Sequence, residues 1–495
     1  MNSSNAQHTQ LSSVIAKPNL GSTSSEAKEF EKHLSINKEI IEFKRNDDVD
    51  ALLNLIEGEA CAFNNVNYAT SWTALGQLPR KGDKLKEDGR FVEFMKTTTS
   101  KMNREPDFFQ VVHYANVMHA LAKCEVVGTA QTDFVLKENH PTVNSGHNTI
   151  WHLVKEIKDK GAWIAANGNS QEVANTAWAF AEVRFMAPDF FAAIEKRADN
   201  FADGANPQEL AQTAWAFGKN RVKAPRFFSA INKKGSWIVQ HGSPQNVANT
   251  AWAIAELGFS APLFFNEIQG RAVKIVEQCG SQELSLIAFA LAEKGIACKP
   301  FFENVERKGE KLVAESSPAV ISTTLMAFAK LKFPAPGLFG AVERRGEWIV
   351  CKGRAGDIAN TAWSFAQLGL KAQGFFGVLE QRAGVFVQEA SPGEISKTAL
   401  AVAALGVATT NLFACIERKS DDLVCDGTPQ DVATIAWAFA KVGFASQKFF
   451  HYVDMRGKWL VKEGSAQAVA NTALGKRGEG ASERKGRCMR LVSFA

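Results

Sequence analysis

A single spacing of 37 residues organises most of this chain. Large apolar residues recur at that interval without insertion, in a column formed by Trp178, Trp215, Trp252, Phe289, Met326, Trp363, Leu400, Trp437 and Leu474. A second column, made mostly of Phe pairs, keeps the same interval from Phe190-Phe191 to Phe449-Phe450. A fixed period of this length is typical of a repeat architecture, in which each unit buries its apolar faces against its neighbours.

Within one unit, the capping signals and the apolar spacing predict two helices. The first begins at a cap such as 206–209 (NPQE), where Asn caps, Pro takes the first helical position and Glu completes a capping box. It ends near a glycine such as Gly258, because glycine accepts the left-handed conformation that stops a helix. An Ala-Pro pair then opens the second helix, and one helical stripe runs through Phe190, Phe191, Ile194, Ala198 and Phe201.

These features predict an all-α fold, a right-handed α-solenoid of 37-residue helical hairpins. We expect the regular array at 161–474 and degenerate helical repeats at 35–160. The upstream copies include the helix at 115–122 and one around Trp72, and residues 123–150 form an insertion. Residues 1–34 are expected to be a disordered or targeting N-terminus, and residues 475–495 a basic disordered tail.

Charge, cysteine spacing and hydropathy limit the classes of function that the chain can have. The net charge is +5, but the tail from Gly475 onward carries six basic and two acidic residues, so +4 of the +5 lies outside the array. The eight cysteines form no C-x-x-C pair, which argues against zinc and redox motifs. No apolar run is long enough to span a bilayer. The Ser-rich, acid-free N-terminus is compatible with an organellar transit peptide, although it lacks the arginines typical of one.

Two segments, 172–181 (EVANTAWAFA) and 244–253 (PQNVANTAWA), carry a family resemblance. They resemble the octotricopeptide (OPR) repeat, whose hallmark is a Pro-Gln-x-Leu-Ala-Asn-x-x-Trp-Ala core. The family includes algal chloroplast translation factors, with FAST-kinase-like RNA-binding proteins as relatives. The resemblance implies an RNA-binding protein of the chloroplast or mitochondrion that acts in RNA processing, stabilisation or translation. The chain departs from the family in its shorter unit, and it shows no RAP-like domain.

A basic column offers one candidate site. Every unit has a Lys or Arg at this position, and the column comprises Arg197, Lys234, Arg271, Lys308, Arg345, Arg382, Lys419 and Arg456. Stacked repeats would space these charges by about 8–10 Å, which fits contacts with an RNA phosphate backbone. A mostly acidic column two residues earlier, from Glu195 to Asp454, offers an alternative: salt bridges between neighbouring repeats.

A varying polar column in the first helix is the second candidate. We expect its members to contact RNA bases: Asn175, Gln212, Asn249, Thr323, Asn360, Lys397 and Thr434. Amide and hydroxyl groups that vary at one place per repeat suit the reading of base edges. The alternative is that these side chains bond to neighbouring loops. The Trp column is interpreted mainly as packing, because Phe289, Met326 and Leu400 in the same slot cannot all stack on bases.

Catalytic motifs are not found: the chain has no phosphate-binding loop, nucleophile elbow or metal-ligand spacing. We therefore expect a binding protein rather than an enzyme, with no cofactor and no metal. The predicted partner is single-stranded RNA, together with other RNA-processing or ribosomal proteins, and no membrane or small-molecule substrate. The alternative function is an armadillo- or HEAT-like scaffold for protein interactions.

Overall fold

The structure, a computed structural model, describes residues 24–79, 82–105, 107–125 and 145–477. These residues form α-helices and a 3-10 turn at Ala60–Ala62, and no β-strand occurs among them. This confirms the predicted all-α solenoid. No helix in the described ranges is long and apolar enough to cross a membrane.

Among the described residues, seven helices precede the regular array. They are α1 (Ser24–Arg45), α2 (Val49–Glu59), α3 (Asn65–Gln77), α4 (Asp83–Lys86), α5 (Gly89–Arg104), α6 (Val111–Lys123) and α7 (Ser145–Asp159). Helix α6 contains the predicted copy at 115–122, and α3 contains the one around Trp72. Trp72 itself is fully buried and donates its indole N–H to Thr98 at 3.2 Å, so it belongs to the core.

Each regular repeat contains three helices, which we call A, B and C in chain order. The A helices are α9 (Ser170–Glu182), α12 (Pro207–Lys219), α15 (Pro244–Glu256), α18 (Ser281–Glu293), α21 (Pro318–Lys330), α24 (Ala355–Gln367), α27 (Pro392–Leu405), α30 (Pro429–Val442) and α33 (Ala466–Arg477). The B helices are α10 (Pro188–Lys196), α13 (Pro225–Lys233), α16 (Pro262–Gly270), α19 (Lys299–Arg307), α22 (Pro336–Arg344), α25 (Gln373–Gln381), α28 (Thr410–Arg418) and α31 (Gln447–Met455).

The C helices follow each B helix after a single residue, and α8 belongs to the repeat before the first A helix. They are α8 (Gly161–Asn167), α11 (Ala198–Gly204), α14 (Gly235–His241), α17 (Ala272–Gln278), α20 (Gly309–Glu315), α23 (Gly346–Lys352), α26 (Ala383–Glu389), α29 (Ser420–Asp426) and α32 (Gly457–Glu463). The start of each array helix recurs every 37 residues, so the register read from the sequence is also the structural register.

The predicted continuous second helix is wrong, because it breaks into B and C. The residue at the break leaves helical geometry, as at Arg197, where φ is −105° and ψ is 22°. The break turns C toward the B helix of the next repeat. At Gly235 and Gly346 the two backbones approach so closely that an added Cβ would lie 2.7 Å and 2.8 Å from the Cα atoms of Phe264 and Phe375. The apolar stripe survives, divided between two short helices.

The chain divides into two compact units, Met1–Phe264 and Phe265–Ala495, and α16 spans the division. In the first unit, α3, α6, α9, α12 and α15 pack side by side in chain order, and α8 and α11 pack on α10 and α13. In the second unit, α18, α21, α24, α27, α30 and α33 form the same kind of row, and each C helix from α17 to α29 packs on the next B helix. Phe and Ala side chains fill the core of each unit.

The predicted domain ends are described only in part. Helix α1 begins at Ser24, inside the segment 1–34, and α7 begins at Ser145, inside the insertion at 123–150. Residues 1–23, residues 126–144 and the tail beyond residue 477 lie outside the described residues. Helix α33 runs two residues past Gly475, where we placed the start of the tail.

Candidate functional site

The A helices from α9 to α30 present the same narrow face to solvent. In α12 the face consists of Gln208, Gln212, Trp215 and Lys219, at positions i, i+4, i+7 and i+11. The remaining side chains in the middle of α12 are buried, as are Leu210 and Ala214. They pack against the neighbouring A helices and against the B helices. Because A helices pack in a row within each unit, their faces join into one surface in each unit, and we call the surface of either unit its A-face.

The polar column lies in the middle of the A-face. All seven residues predicted to contact bases, Asn175, Gln212, Asn249, Thr323, Asn360, Lys397 and Thr434, are partly exposed there. The structure thus places them at equivalent positions on one surface in each unit. Contact with bases stays a prediction.

Some members of the polar column touch each other across neighbouring repeats. The Gln212 amide donates to Asn175 Oδ1 at 3.3 Å, and Lys397 Nζ donates to Asn360 Oδ1 at 2.9 Å. Burial lowers the pKa of Lys397, and the nearby Glu394 carboxylate opposes that shift. Asn249 makes no side-chain hydrogen bond with any described residue, so both ends of its amide are open to a ligand.

The Trp column borders the polar column and is only partly exposed. An added Cβ at Gly218 would lie 2.8 Å from Trp252 Cζ3, so this ring lies against the preceding A helix. Cations flank two other rings: Lys123 Nζ lies 5.1 Å from the Trp178 ring centre, and Lys219 Nζ lies 5.6 Å from the Trp215 ring centre. These contacts agree with packing as the main role and leave part of each ring facing solvent.

The basic column lies elsewhere, at the break between each B and C helix. All eight residues, Arg197, Lys234, Arg271, Lys308, Arg345, Arg382, Lys419 and Arg456, are partly buried there. Most of them bond to the backbone of the preceding repeat. Arg197 donates to Ala166 O at 2.7 Å and to Gly168 O at 3.0 Å, and Lys419 donates to Val387 O at 2.8 Å.

The accepting carbonyls lie at the carboxyl ends of C helices, where backbone oxygens have no partner within the helix. Lys308, Arg345 and Arg456 bond in the same way to the preceding C helix. A cation at this end also interacts favourably with the helix dipole. Five members of the basic column therefore cap the C helix of the preceding repeat: Arg197, Lys308, Arg345, Lys419 and Arg456. Contact of the column with an RNA backbone stays a prediction.

The acidic column does not form a salt-bridge ladder with the basic column. Several of its carboxylates instead cap the amino-terminal ends of B helices. The Glu195 carboxylate accepts from the backbone N–H groups of Arg226 and Phe227, at 2.7 Å and 2.9 Å. Glu306 and Glu380 bond in the same way to the first turn of the next B helix. Lys234 and Arg271 of the basic column form ion pairs with acids outside the acidic column, as between Lys234 Nζ and Asp203 Oδ1 at 3.0 Å.

Two features of the surface were missed from the sequence. The first is a tryptophan of the C helix beside the basic column: the Arg345 guanidinium lies 3.8 Å from the Trp348 ring centre, and that of Arg456 lies 4.0 Å from Trp459. The spacing Lys/Arg-Gly-x-Trp in four repeats could have revealed it.

The second missed feature is that cations replace the expected glycine at the left-handed position after three of the A helices. Glycine holds this position at Gly258, Gly295, Gly369, Gly406 and Gly443, whereas Arg184, Arg221 and Lys332 hold it elsewhere with φ of 52–53°. The left-handed conformation costs a residue with a Cβ roughly 1–2 kcal/mol. Aligning the glycines at the 37-residue interval would have exposed these three cations.

Titratable groups with shifted pKa values occur near the start of the row. Burial lowers the pKa of His113 to about 4, and burial together with the nearby Lys123 ammonium lowers that of His119 to about 4. His119 occupies the Trp slot of α6, with its ring 5.1 Å from that of Trp178. Among the described residues, no three His, Cys, Asp or Glu side chains are arranged to hold a metal ion.

Fold and surface together define a helical-repeat protein with equivalent positions repeated along one face, an arrangement suited to a linear ligand. The chain belongs to the RESC6 family: the family model for the RNA-editing substrate-binding complex 6 protein matches residues 169–428, just over half of the chain. No curated protein matches the chain significantly.

Proposed function

We propose that this protein binds single-stranded RNA along the A-face and selects it by sequence, as a component of a mitochondrial RNA-editing complex. The observation that carries the proposal is the polar column, which offers one partly exposed amide, hydroxyl or ammonium group in each repeat from α9 to α30 except that of α18, where Leu286 occupies the position. Side chains of this kind, one set per helical repeat, suit the base edges of an unpaired strand.

Family membership supports RNA as the ligand. The family is named for an RNA-editing substrate-binding complex, which supports both an RNA substrate and protein partners of such a complex. It also favours the mitochondrion over the chloroplast as the compartment. The octotricopeptide resemblance adds a similar expectation for the repeat itself. The proposed role is binding rather than catalysis.

The free amide of Asn249 allows a direct test. We expect selection from a random RNA pool to enrich a sequence motif, and Asn249→Thr to change the preferred base at one position of it. Thr is chosen because it already occupies the column at Thr323 and Thr434. The matched control is Asn200→Thr on the exposed side of helix α11, which should enrich the wild-type motif.

The outcomes separate the candidates. If wild-type protein retains RNA but enriches no motif, sequence selection is wrong. If it retains no RNA, the scaffold for protein interactions becomes the better function. If the Asn200 variant shifts the motif as much as the Asn249 variant does, the A-face is not the reading surface.

A further inference from the structure

The connection between α12 and α13, taken with the helix ends on either side of it, is strongly basic and contains no acidic residue. Residues 218–226 (GKNRVKAPR) contain Lys219, Arg221, Lys223 and Arg226 and no Asp or Glu. All four of these side chains are exposed. We call these four residues the α12–α13 basic cluster.

The cluster begins on the A-face. Lys219 occupies the last face position of α12, with its ammonium 5.6 Å from the Trp215 ring centre. Arg221 extends toward the next A helix, where its Nε lies 3.5 Å from Glu256 Oε1, and its side chain remains 84% exposed. Lys219 and Arg221 therefore line the carboxyl-terminal edge of the A-face in the first unit, and Lys223 and Arg226 follow in the connection to α13 and in its first turn.

Arg221 stands where folding alone favours glycine. Its φ is 52°, and five other repeats place glycine at the same position with positive φ. In the long-range ion pair with Glu256 the arginine is almost fully exposed to solvent, and ion pairs at the surface add little to stability. Strained residues that packing does not require often occur at functional sites. Arg184 shows the same φ, exposure and charge one repeat earlier.

A general structural reason covers only part of the cluster. A lysine at the carboxyl-terminal end of a helix interacts favourably with the helix dipole, and this accounts for Lys219. The dipole does not select a cation at a left-handed residue beyond the helix, nor at Lys223 and Arg226 in and after the connection.

We propose that the α12–α13 basic cluster, with Arg184, binds phosphates of the RNA while bases lie on the A-face. This inference rests on the proposed function and adds where the backbone of the strand runs. It moves the phosphate track from the B–C break, where the cations bond to carbonyls, to the edge of the A-face. Polar and aromatic groups on the face and cations along its edge are the arrangement that single-stranded nucleic acids favour.

The test is the salt dependence of RNA binding by the full chain. A fluorescent oligouridine reports affinity by anisotropy at several KCl concentrations. The test variant carries Lys219→Gln, Arg221→Gly, Lys223→Gln and Arg226→Gln. Each lost phosphate contact should lower the slope of log affinity against log salt by about 0.7, so four lost contacts should lower it by about 3. The control removes four exposed cations from B and C helices: Lys196→Gln, Lys274→Gln, Lys311→Gln and Lys458→Gln.

The single variant Arg221→Gly separates binding from folding. Glycine suits the left-handed position, so this variant should unfold no earlier than wild type while its salt slope falls by about 0.7. If the fourfold cluster variant keeps the wild-type slope, or if the control lowers the slope equally, the inference is wrong and the proposed function stands. If wild-type protein binds neither oligouridine nor a random RNA pool, the proposed function itself fails.

Discussion

Replacing Arg345 tests whether the basic column serves the fold. Its guanidinium donates to Val313 O and Ala314 O at the end of α20 and lies 3.8 Å from the Trp348 ring centre. Arg345→Met keeps much of the apolar stem and removes these interactions. Charged hydrogen bonds contribute about 1.5–3 kcal/mol and a cation over an exposed ring about 0.5–1 kcal/mol. Because Arg345 is only partly buried, we expect a combined loss of about 2–4 kcal/mol.

Hydrogen exchange locates this loss. In a repeat array each helix depends mainly on its neighbours, so the effect should concentrate in α20 and the repeat that follows. A loss of about 2–4 kcal/mol corresponds to a fall in amide protection of roughly 30- to 1,000-fold in Gly309–Glu315.

The adjacent Arg344 is the matched control. It is 62% exposed and pairs with Glu310 at the surface, so Arg344→Met should cost about 0–1 kcal/mol. If Arg345→Met leaves the protection of α20 as high as Arg344→Met does, the capping role is refuted. If it then also weakens RNA binding, the basic column contacts the RNA backbone as the sequence pattern predicted.

Two further predictions concern packing and pH. Gly235→Ala should lower the free energy of unfolding by about 1–3 kcal/mol, because its Cβ would lie 2.7 Å from Phe264 Cα; urea titration should show no such loss for Gly457→Ala, which has open space, and equal losses would contradict the argument. His113 is 3% exposed with a pKa lowered to about 4, so the unfolded chain binds more protons and stability falls as the pH drops from about 6.5 to 4. Between pH 7 and 5 this loss of stability is about 1–2 kcal/mol. His113→Gln keeps an acceptor for the Gln110 N–H and should make the loss smaller. Thermal unfolding of both proteins at the two pH values tests this, and an equal loss of stability in both would contradict it.

The array could be predicted because its information is local and repeated. A cap such as Asn206 with Glu209 specifies where a helix begins, and a left-handed glycine such as Gly443 specifies where one ends. The Phe pairs specify a buried helix face. A 37-residue period kept over many repeats then determines that neighbouring repeats stack in the same way. The polar column followed from the same register, since a fixed helical spacing puts equivalent residues on one face.

The break between B and C helices was missed for a physical reason. The residues around Arg197 keep helical apolar spacing, and nothing local forbids a continuous helix there. The break is stabilised from outside: the side chain bonds to carbonyls of the preceding repeat, and Gly235 and Gly346 in later repeats allow the close approach of the next B helix. Such interactions exist only once the repeats are stacked.

The sequence by itself therefore determined the repeat, its helical content and which residues share a face, because these depend on spacing along one chain. Only the tertiary structure decided what the charged columns contact, because their partners lie about thirty residues away, as for Arg345 and Ala314. It also decided that Arg221 ends an A helix in the left-handed conformation at the edge of the A-face. The charges and the 37-residue period can be read from the sequence, but the hydrogen-bond partners of the cations are known only once the neighbouring repeat is packed in place.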